Sequence, residues 1–184
     1  MFIAIVGSRA CSSSEAKAAF ALAYNLARQG HVVVSGLARG IDTAALSGVA
    51  TAKAVGLAVL PTSLGEGMYP LANAPLARTL QGYGGVVMMP YITPSEALWR
   101  FKLRLIERNF LMARWCDTCI VVSDHYNISG GTAWMVKFCH TLDKTVLRLD
   151  SDYSLHLDVP HIHRKITWEP ELVALKEHIR RTKA

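Results

Sequence analysis

The sequence predicts a doubly wound, mainly parallel Rossmann-like α/β sheet with helices on both faces. Three observations carry this. Short apolar runs of strand length alternate with longer helical segments over residues 1–149. Glycine or proline punctuates most of the junctions. The 184 residues, 51% hydrophobic and 18% charged, suffice for one self-supporting core and lie far from the disordered class. Strand and helix in alternation require helical crossovers, and crossovers pair strands in parallel.

In order, Phe2–Val6 reads as a strand ended by Gly7. Ser12, Ser13 and Ser14 offer an N-cap for a helix from about Glu15 to Gln29, which Gly30 stops. His31–Ser35 is the second strand, a helix runs from about Asp42 to Ala54, and Gly56–Leu60 is the third strand. Pro70 and Asn73 open a helix that ends before the Gly82–Gly85 turn, and Val86–Met89 is the fourth strand, broken off by Pro90 and Pro94. Residues 96–115 form the strongest helical candidate, with Arg100, Arg104 and Arg108 at four-residue spacing on one face. Thr118–Val122, a helix over Gly131–Leu142 and the strand Thr145–Leu149 complete the alternation. Residues 1–150 therefore read as the core. Residues 151–184 read as an appendage of the same domain, a short β-like segment and a terminal helix over Glu169–Arg181.

The formal charge of +6 is unevenly placed. Residues 117–184 balance at nine of each sign, so the excess lies wholly before Asp117, where an anionic partner is expected. No apolar run approaches the roughly 20 residues of a membrane span, and no basic leader precedes the first run. The expectation is a cytosolic protein with no membrane segment.

Ligands of an open parallel sheet bind beyond the carboxyl ends of the strands. Four loops there carry chemistry. Gly7-Ser8-Arg9 joins a tight turn to a hydroxyl and a fork-shaped phosphate donor. Ser35-Gly36-Leu37-Ala38-Arg39-Gly40-Ile41-Asp42 sets two glycines and an arginine before a helix start, with Asp42 as its cap. The third loop, Pro61 to Pro70, is polar and glycine-rich and includes Tyr69, a stacking candidate. The fourth loop, Asn127-Ile128-Ser129-Gly130-Gly131-Thr132, leads into a helix with the composition of a phosphate cradle. The Gly-Lys-Ser/Thr ending of a triphosphate loop and the G-x-G-x-x-G dinucleotide fingerprint are both missing. No cofactor and no metal are expected.

Other features read as structural. Cys116 and Cys119 form a C-x-x-C pair without a second pair at zinc-finger spacing, so they and Cys11 and Cys139 are expected as buried free thiols. Trp99, Trp115 and Trp134 sit in apolar helical patterns and are expected in the core. His156, His161 and His163 are expected at the surface.

The run VGSR, then VVSGLARGIDTAA, then AVL with a following Tyr-Pro and Asn73, then Arg108-Asn109 and SGGTA, resembles the DNA-processing protein A (DprA) family of Rossmann-like proteins over about residues 3–149. The resemblance implies single-stranded DNA bound in a basic pocket at the strand-end rim, a homodimer, and delivery of the strand to a RecA-type recombinase in DNA uptake and recombination. Carried over position by position, Ser8, Arg9 and Arg39 would contact phosphates, and Ser129, Gly130 and Gly131 would line the pocket. Together with the residue reading, the expected binding set is Gly7, Ser8, Arg9, Ser35, Gly36, Arg39, Gly40, Arg108, Asn109, Ser129, Gly130, Gly131 and Thr132. Three positions depart from the family pattern: Leu46 replaces a histidine, Phe110 the second arginine of Arg-Asn-Arg, and Pro61 a glycine. The expectation is a protein without the flanking helical and winged-helix domains that many members carry.

A second segment, Glu107-Arg108-x-x-x-Met112 followed by Gly130-Gly131, is similar to the lysine-decarboxylase-like phosphoribohydrolases. Those enzymes carry a glutamate after the glycine loop; here the stretch reads Thr132-Ala133-Trp134-Met135. Glycosidic hydrolysis needs such a carboxylate. The reading therefore leans toward binding without catalysis. The alternative is a nucleotide-binding protein or phosphoribohydrolase acting on a nucleoside monophosphate or an ADP-ribose-like ligand.

Overall fold

The structure, a computed structural model, describes residues 1–125 and 128–157. Its strands are β1 (Phe2–Gly7), β2 (Val32–Ser35), β3 (Gly56–Val59), β4 (Val86–Met88), β5 (Thr118–Val122), β6 (Thr145–Leu149) and β7 (Leu155–Leu157). The helices are α1 (Ser13–Arg28), α2 (Ile41–Thr51), α3 (Ala74–Gly82), which a short 3-10 turn over Leu71–Asn73 precedes, α4 (Leu98–Trp115) and α5 (Gly130–Thr141). Every expected strand and helix through residue 149 is present, with ends displaced by a few residues. The expected terminal helix lies outside the described residues.

The strand order is β4-β3-β2-β1-β5-β6-β7. All pairs are parallel except β6 with β7, where Leu147, Arg148 and Leu149 face Leu157, His156 and Leu155. The chain winds outward from β1 to β4, then α4 carries it back to β5 on the other side of β1. The sheet thus reverses direction between β1 and β5, and the loops that leave these strands diverge there, which opens a crevice.

Alternation along each strand builds two cores. Ile3 and Ile5 of β1 join Ala18, Ala19 and Ala23 of α1, Leu46 and Val49 of α2, and Ala77 and Leu80 of α3. Ala4 and Val6 join Ile106, Met112 and Ala113 of α4 and Trp134, Met135 and Phe138 of α5. Leu46, which stands where the family pattern has histidine, is fully buried in the first core.

Local chemistry sets the helix ends. Ser12 caps α1 in a capping box, its hydroxyl accepting from the Glu15 amide at 3.1 Å while the Glu15 carboxylate accepts from the Ser12 amide at 2.7 Å. Gly30, at φ +80°, follows the last turn. Among the described residues no helix is long and apolar enough to cross a membrane.

Candidate functional site

The loops after β1 and β2 are locked together by their backbones. The Ser8 carbonyl accepts from the Ile41 amide at 3.2 Å, so the first loop lies on the start of α2. A β-carbon on Gly40 would stand 2.2 Å from the Ser8 oxygen, and the residue has φ +74°, so both the contact and the conformation demand glycine. Gly7 is similarly confined: a β-carbon there would lie 2.5 Å from Ile41 Cγ1 and 2.7 Å from the Val122 oxygen. Asn73 holds the second loop from outside, its amide donating to the Leu37 carbonyl and the Thr43 hydroxyl at 2.8 Å each. Arg9 and Arg39 project from this frame. Both are exposed, and among the described residues neither forms an ion pair.

Beneath the second loop lies a buried pair that the sequence reading placed differently. Arg108 is 5% exposed and its guanidinium donates to the Gly36 and Val59 carbonyls, with Asp42 at 4.0 Å. It is a strut under the loop and not a solvent-facing phosphate contact. The reason is its position on α4, whose face here lies against the strand ends. Gly36 permits this approach, since any β-carbon would collide with the guanidinium. Asp42 is likewise not the helix cap. Gly40 occupies that position, and the buried Asp42 carboxylate accepts from the Ala38 amide at 3.2 Å. Burial pushes the Asp42 carboxyl above its ordinary range, with the Arg108 charge opposing. Burial also pulls Arg108 down, opposed by Asp42, and the positive charge of Arg9 adds to that depression. Arg9 and Arg108 therefore share one positive field, one at the surface and one below it.

The β5 side closes the crevice. The Thr132 hydroxyl donates to the Gly7 carbonyl at 3.0 Å, and the Asn109 amide donates to the Gly131 carbonyl at 2.9 Å. Both side chains, expected to meet a ligand, are spent on internal bonds, as is the Ser35 hydroxyl, which donates to Ile5. They hold the N-terminus of α5 beside β1. Ser129 is its N-cap without a side-chain cap bond, and Ser129, Gly130 and Gly131 are exposed, so the first amides of α5 open onto the rim. Buried Glu15 adds a link the sequence reading missed: besides its capping bond it accepts from the Asp124 amide at 3.0 Å, tying the start of α1 to the loop after β5. The Ser12-x-x-Glu15 spacing is a legible signal for the cap but not for the tie.

The third loop turns inward around Glu66. Its carboxylate accepts from the Ser63 amide and hydroxyl at 2.8 and 3.0 Å, from the Ser95 amide at 2.7 Å, from the Ser95 hydroxyl, and from Arg104 at 3.0 Å. Burial alone would raise this carboxyl, but the hydrogen bonds of Ser63 and Ser95 prevail and hold it at about 2. Arg104 also donates to the Thr93 carbonyl at 2.7 Å and lies over the Tyr91 ring. The arginine stripe of α4 thus runs from solvent at Arg100, through a paired Arg104, to a buried Arg108. Tyr69, half-exposed, meets Phe101 edge to face at 4.8 Å. Trp134 is in the core as expected, but Trp99 is 62% exposed, contrary to expectation.

The remaining expectations fall on ordinary structure. The four cysteines are free, and Cys116, Cys119 and Cys139 are buried. The neighbouring Cys139 thiol and burial push Cys116 above the ordinary thiol range, which suits an inert side chain. His156 is exposed and lies 3.0 Å from Asp150, while His161 and His163 fall outside the described residues. Among the described residues no group of His, Cys, Asp and Glu could hold a metal ion.

The family model for DNA recombination-mediator protein A matches residues 1–159. The chain belongs to that family. It is 37% identical over 122 residues to the DNA processing protein DprA of Streptococcus pneumoniae, an alignment covering 65% of this chain and 40% of that protein. The chain therefore spans well under two thirds of the length of this curated relative. The X-ray structure of the Streptococcus pneumoniae protein superposes with a TM-score of 0.63 at 25% identity, covering 95% of this chain and 56% of that one. DNA processing protein A from Helicobacter pylori, whose structure is described as showing a unique single-stranded DNA binding mode, superposes at 0.66 with 20% identity over 97% of this chain and 72% of its own. A molybdenum cofactor binding protein from Rippkaea orientalis shares the fold at 0.59 and 17% identity, over 81% of this chain and 76% of its own. In this family member, then, the interlocked glycine loops and the α5 N-terminus form the strand-end rim that the motifs anticipate.

Proposed function

We propose that this chain binds single-stranded DNA along the strand-end rim, as a non-catalytic DNA-processing protein A. The observation that carries the reading is that Arg9 and Arg39 are exposed, form no ion pair among the described residues, and stand on loops whose backbones the Ser8–Ile41 hydrogen bond and the close approach at Gly40 lock together. Phosphates sit on these two guanidinium groups and on the open amides of Gly130 and Gly131, with Ser8 and Ser129 as neutral donors. Gly7, Ser35, Gly36, Gly40, Arg108, Asn109 and Thr132 shape the rim from within. In the role implied by the family the chain acts in the cytosol as a homodimer and passes the strand to a RecA-type recombinase. The first turn of α5 has no acidic residue, which favours binding over hydrolysis of a nucleotide.

The test is a fluorescence-anisotropy titration of labelled oligo-dT at several salt concentrations, with AMP and ADP-ribose as competitors. Each phosphate contact on a single strand contributes about −0.7 to the log–log salt slope, so the Arg9→Ala, Arg39→Ala double variant is expected to bind more weakly with a slope shallower by about 1.4. Unchanged affinity and slope overturn the site, and release of free base from AMP overturns the binding-only reading.

A further inference from the structure

We infer that the N-terminal half of α4 is an overhanging wall whose exposed Trp99 is a stacking platform for bases of the bound strand. The inference rests on the single-stranded DNA reading above and extends it from phosphates to bases.

The overhang follows from helix length. Arg108 reaches the carbonyls of Gly36, just past β2, and of Val59, the last residue of β3, so it marks the level at which the strands end. α4 starts at Leu98 and must run from the carboxyl end of β4 toward the amino end of β5. Trp99 therefore stands nine residues before Arg108, about 14 Å of helix at 1.5 Å of rise per residue, on the side away from the strands. Above the rim this half-helix leans on the third loop through Phe101 with Tyr69, and through Arg104 with Glu66.

The side on which Trp99 stands follows from helical spacing. Trp99, Leu103, Ile106, Phe110 and Ala113 recur at intervals of four and three and share one face. Ile106 and Ala113 are buried in the second core, and Leu103 and Phe110 pack against it. Trp99 continues this stripe past the end of the sheet, where no sheet lies beneath it, and is left 62% exposed. The same face is the one toward α5, whose Gly131 carbonyl is bonded to Asn109 ten residues along the helix. The tryptophan consequently overhangs the rim on which the α5 amides open.

The chemistry at this spot identifies the occupant. Arg100 places its guanidinium 5.3 Å from the Trp99 ring centroid, and Lys102 is exposed one turn on. An open indole flanked by two cations, continuous with a phosphate-binding rim, matches a single strand whose bases stack while its backbone is neutralised. A sequence-tolerant stack suits a protein that must accept any strand.

The experiment uses the full chain with Trp99→Ala and Trp99→Phe, probed by oligo-dT and by an abasic strand of equal length. Trp99→Ala is expected to lose affinity for oligo-dT by about tenfold, while matching the wild type on the abasic strand and keeping its salt slope. Trp99→Phe should retain most affinity but lose the quenching of tryptophan fluorescence that accompanies binding. Equal affinity of wild type and Trp99→Ala for oligo-dT overturns the platform while leaving the arginine rim standing. So does a loss of self-association in sedimentation with DNA affinity unchanged, which would assign the wall to a protein contact. A wild-type chain with no salt-dependent affinity for oligo-dT overturns both readings.

Discussion

Two pairs of arginines in this protein have opposite fates. Arg9 and Arg39 stand in glycine loops at the ends of β1 and β2 and remain in solvent. Arg104 and Arg108 stand on α4 and are absorbed, one by Glu66 and the Thr93 carbonyl, the other by the Gly36 and Val59 carbonyls and Asp42. The difference lies in who satisfies the backbone. Around Arg9 and Arg39 the outer carbonyls already have donors: Ser8 has the Ile41 amide, Leu37 has Asn73 and Ala38 has Thr43. Those carbonyls leave no call on Arg9 or Arg39, whose side chains stay in solvent. At Gly36 and Val59 the strand-end carbonyls meet a helix face, and a guanidinium supplies the donors.

Three measurements sharpen this contrast. The largest effect is expected at Arg108→Ala, which leaves Asp42 buried without its cation and the Gly36 carbonyl without its donor. Breaking a buried pair in this way costs about 3–5 kcal/mol, read as a fall in the urea midpoint without a change of slope. A loss near zero would mean that the pair is not a strut.

Glu66→Gln comes next. The carboxyl sits at about 2 in the fold and near 4.3 in an unfolded chain, so its contribution is full above about pH 4.3 and is lost as pH falls through about 2. After allowance for its partial exposure, the variant should be less stable than wild type by about 2 kcal/mol at neutral pH. The gap should close between about pH 4.5 and 2, as read by thermal melts across that range. A gap that stays constant with pH would remove the carboxylate from the account.

The smallest effect is expected at Arg9→Ala and Arg39→Ala, whose stability should remain within about 0.5 kcal/mol of wild type, as for exposed sites without special contacts. If either destabilised the fold as Arg108→Ala does, the division between free and absorbed arginines would fail.

Much of the site was legible beforehand because its parts are local. Gly7 stands where the tight turn of the first loop is expected, and a β-carbon there, as at Gly36 and Gly40, would collide with neighbouring atoms of the fold. The exposed Arg9, Arg39 and Ser129 follow from loop positions at strand ends. Arg108, Asn109 and Thr132 were less legible. Their motif marks them as belonging to the site, but whether a polar side chain faces a ligand or a carbonyl depends on what the fold brings opposite it. Trp99 misled for the same reason: its spacing is that of a core residue, and only the end of the sheet beneath it makes it exposed.

The order of elements, the parallel pairing and the cluster of glycine loops on one rim are legible in the chain alone. Hydrophobic period, capping and turn chemistry act between near neighbours and are written directly into the chain. Packing between distant segments sets which arginines stay in solvent, puts Asp42 beneath the second loop instead of capping α2, and lets Glu66 gather Ser63, Ser95 and Arg104. Those outcomes depend on how far an 18-residue helix outruns short strands of three to six residues. They depend also on which carbonyl each side chain then meets, and no spacing within a single segment encodes that.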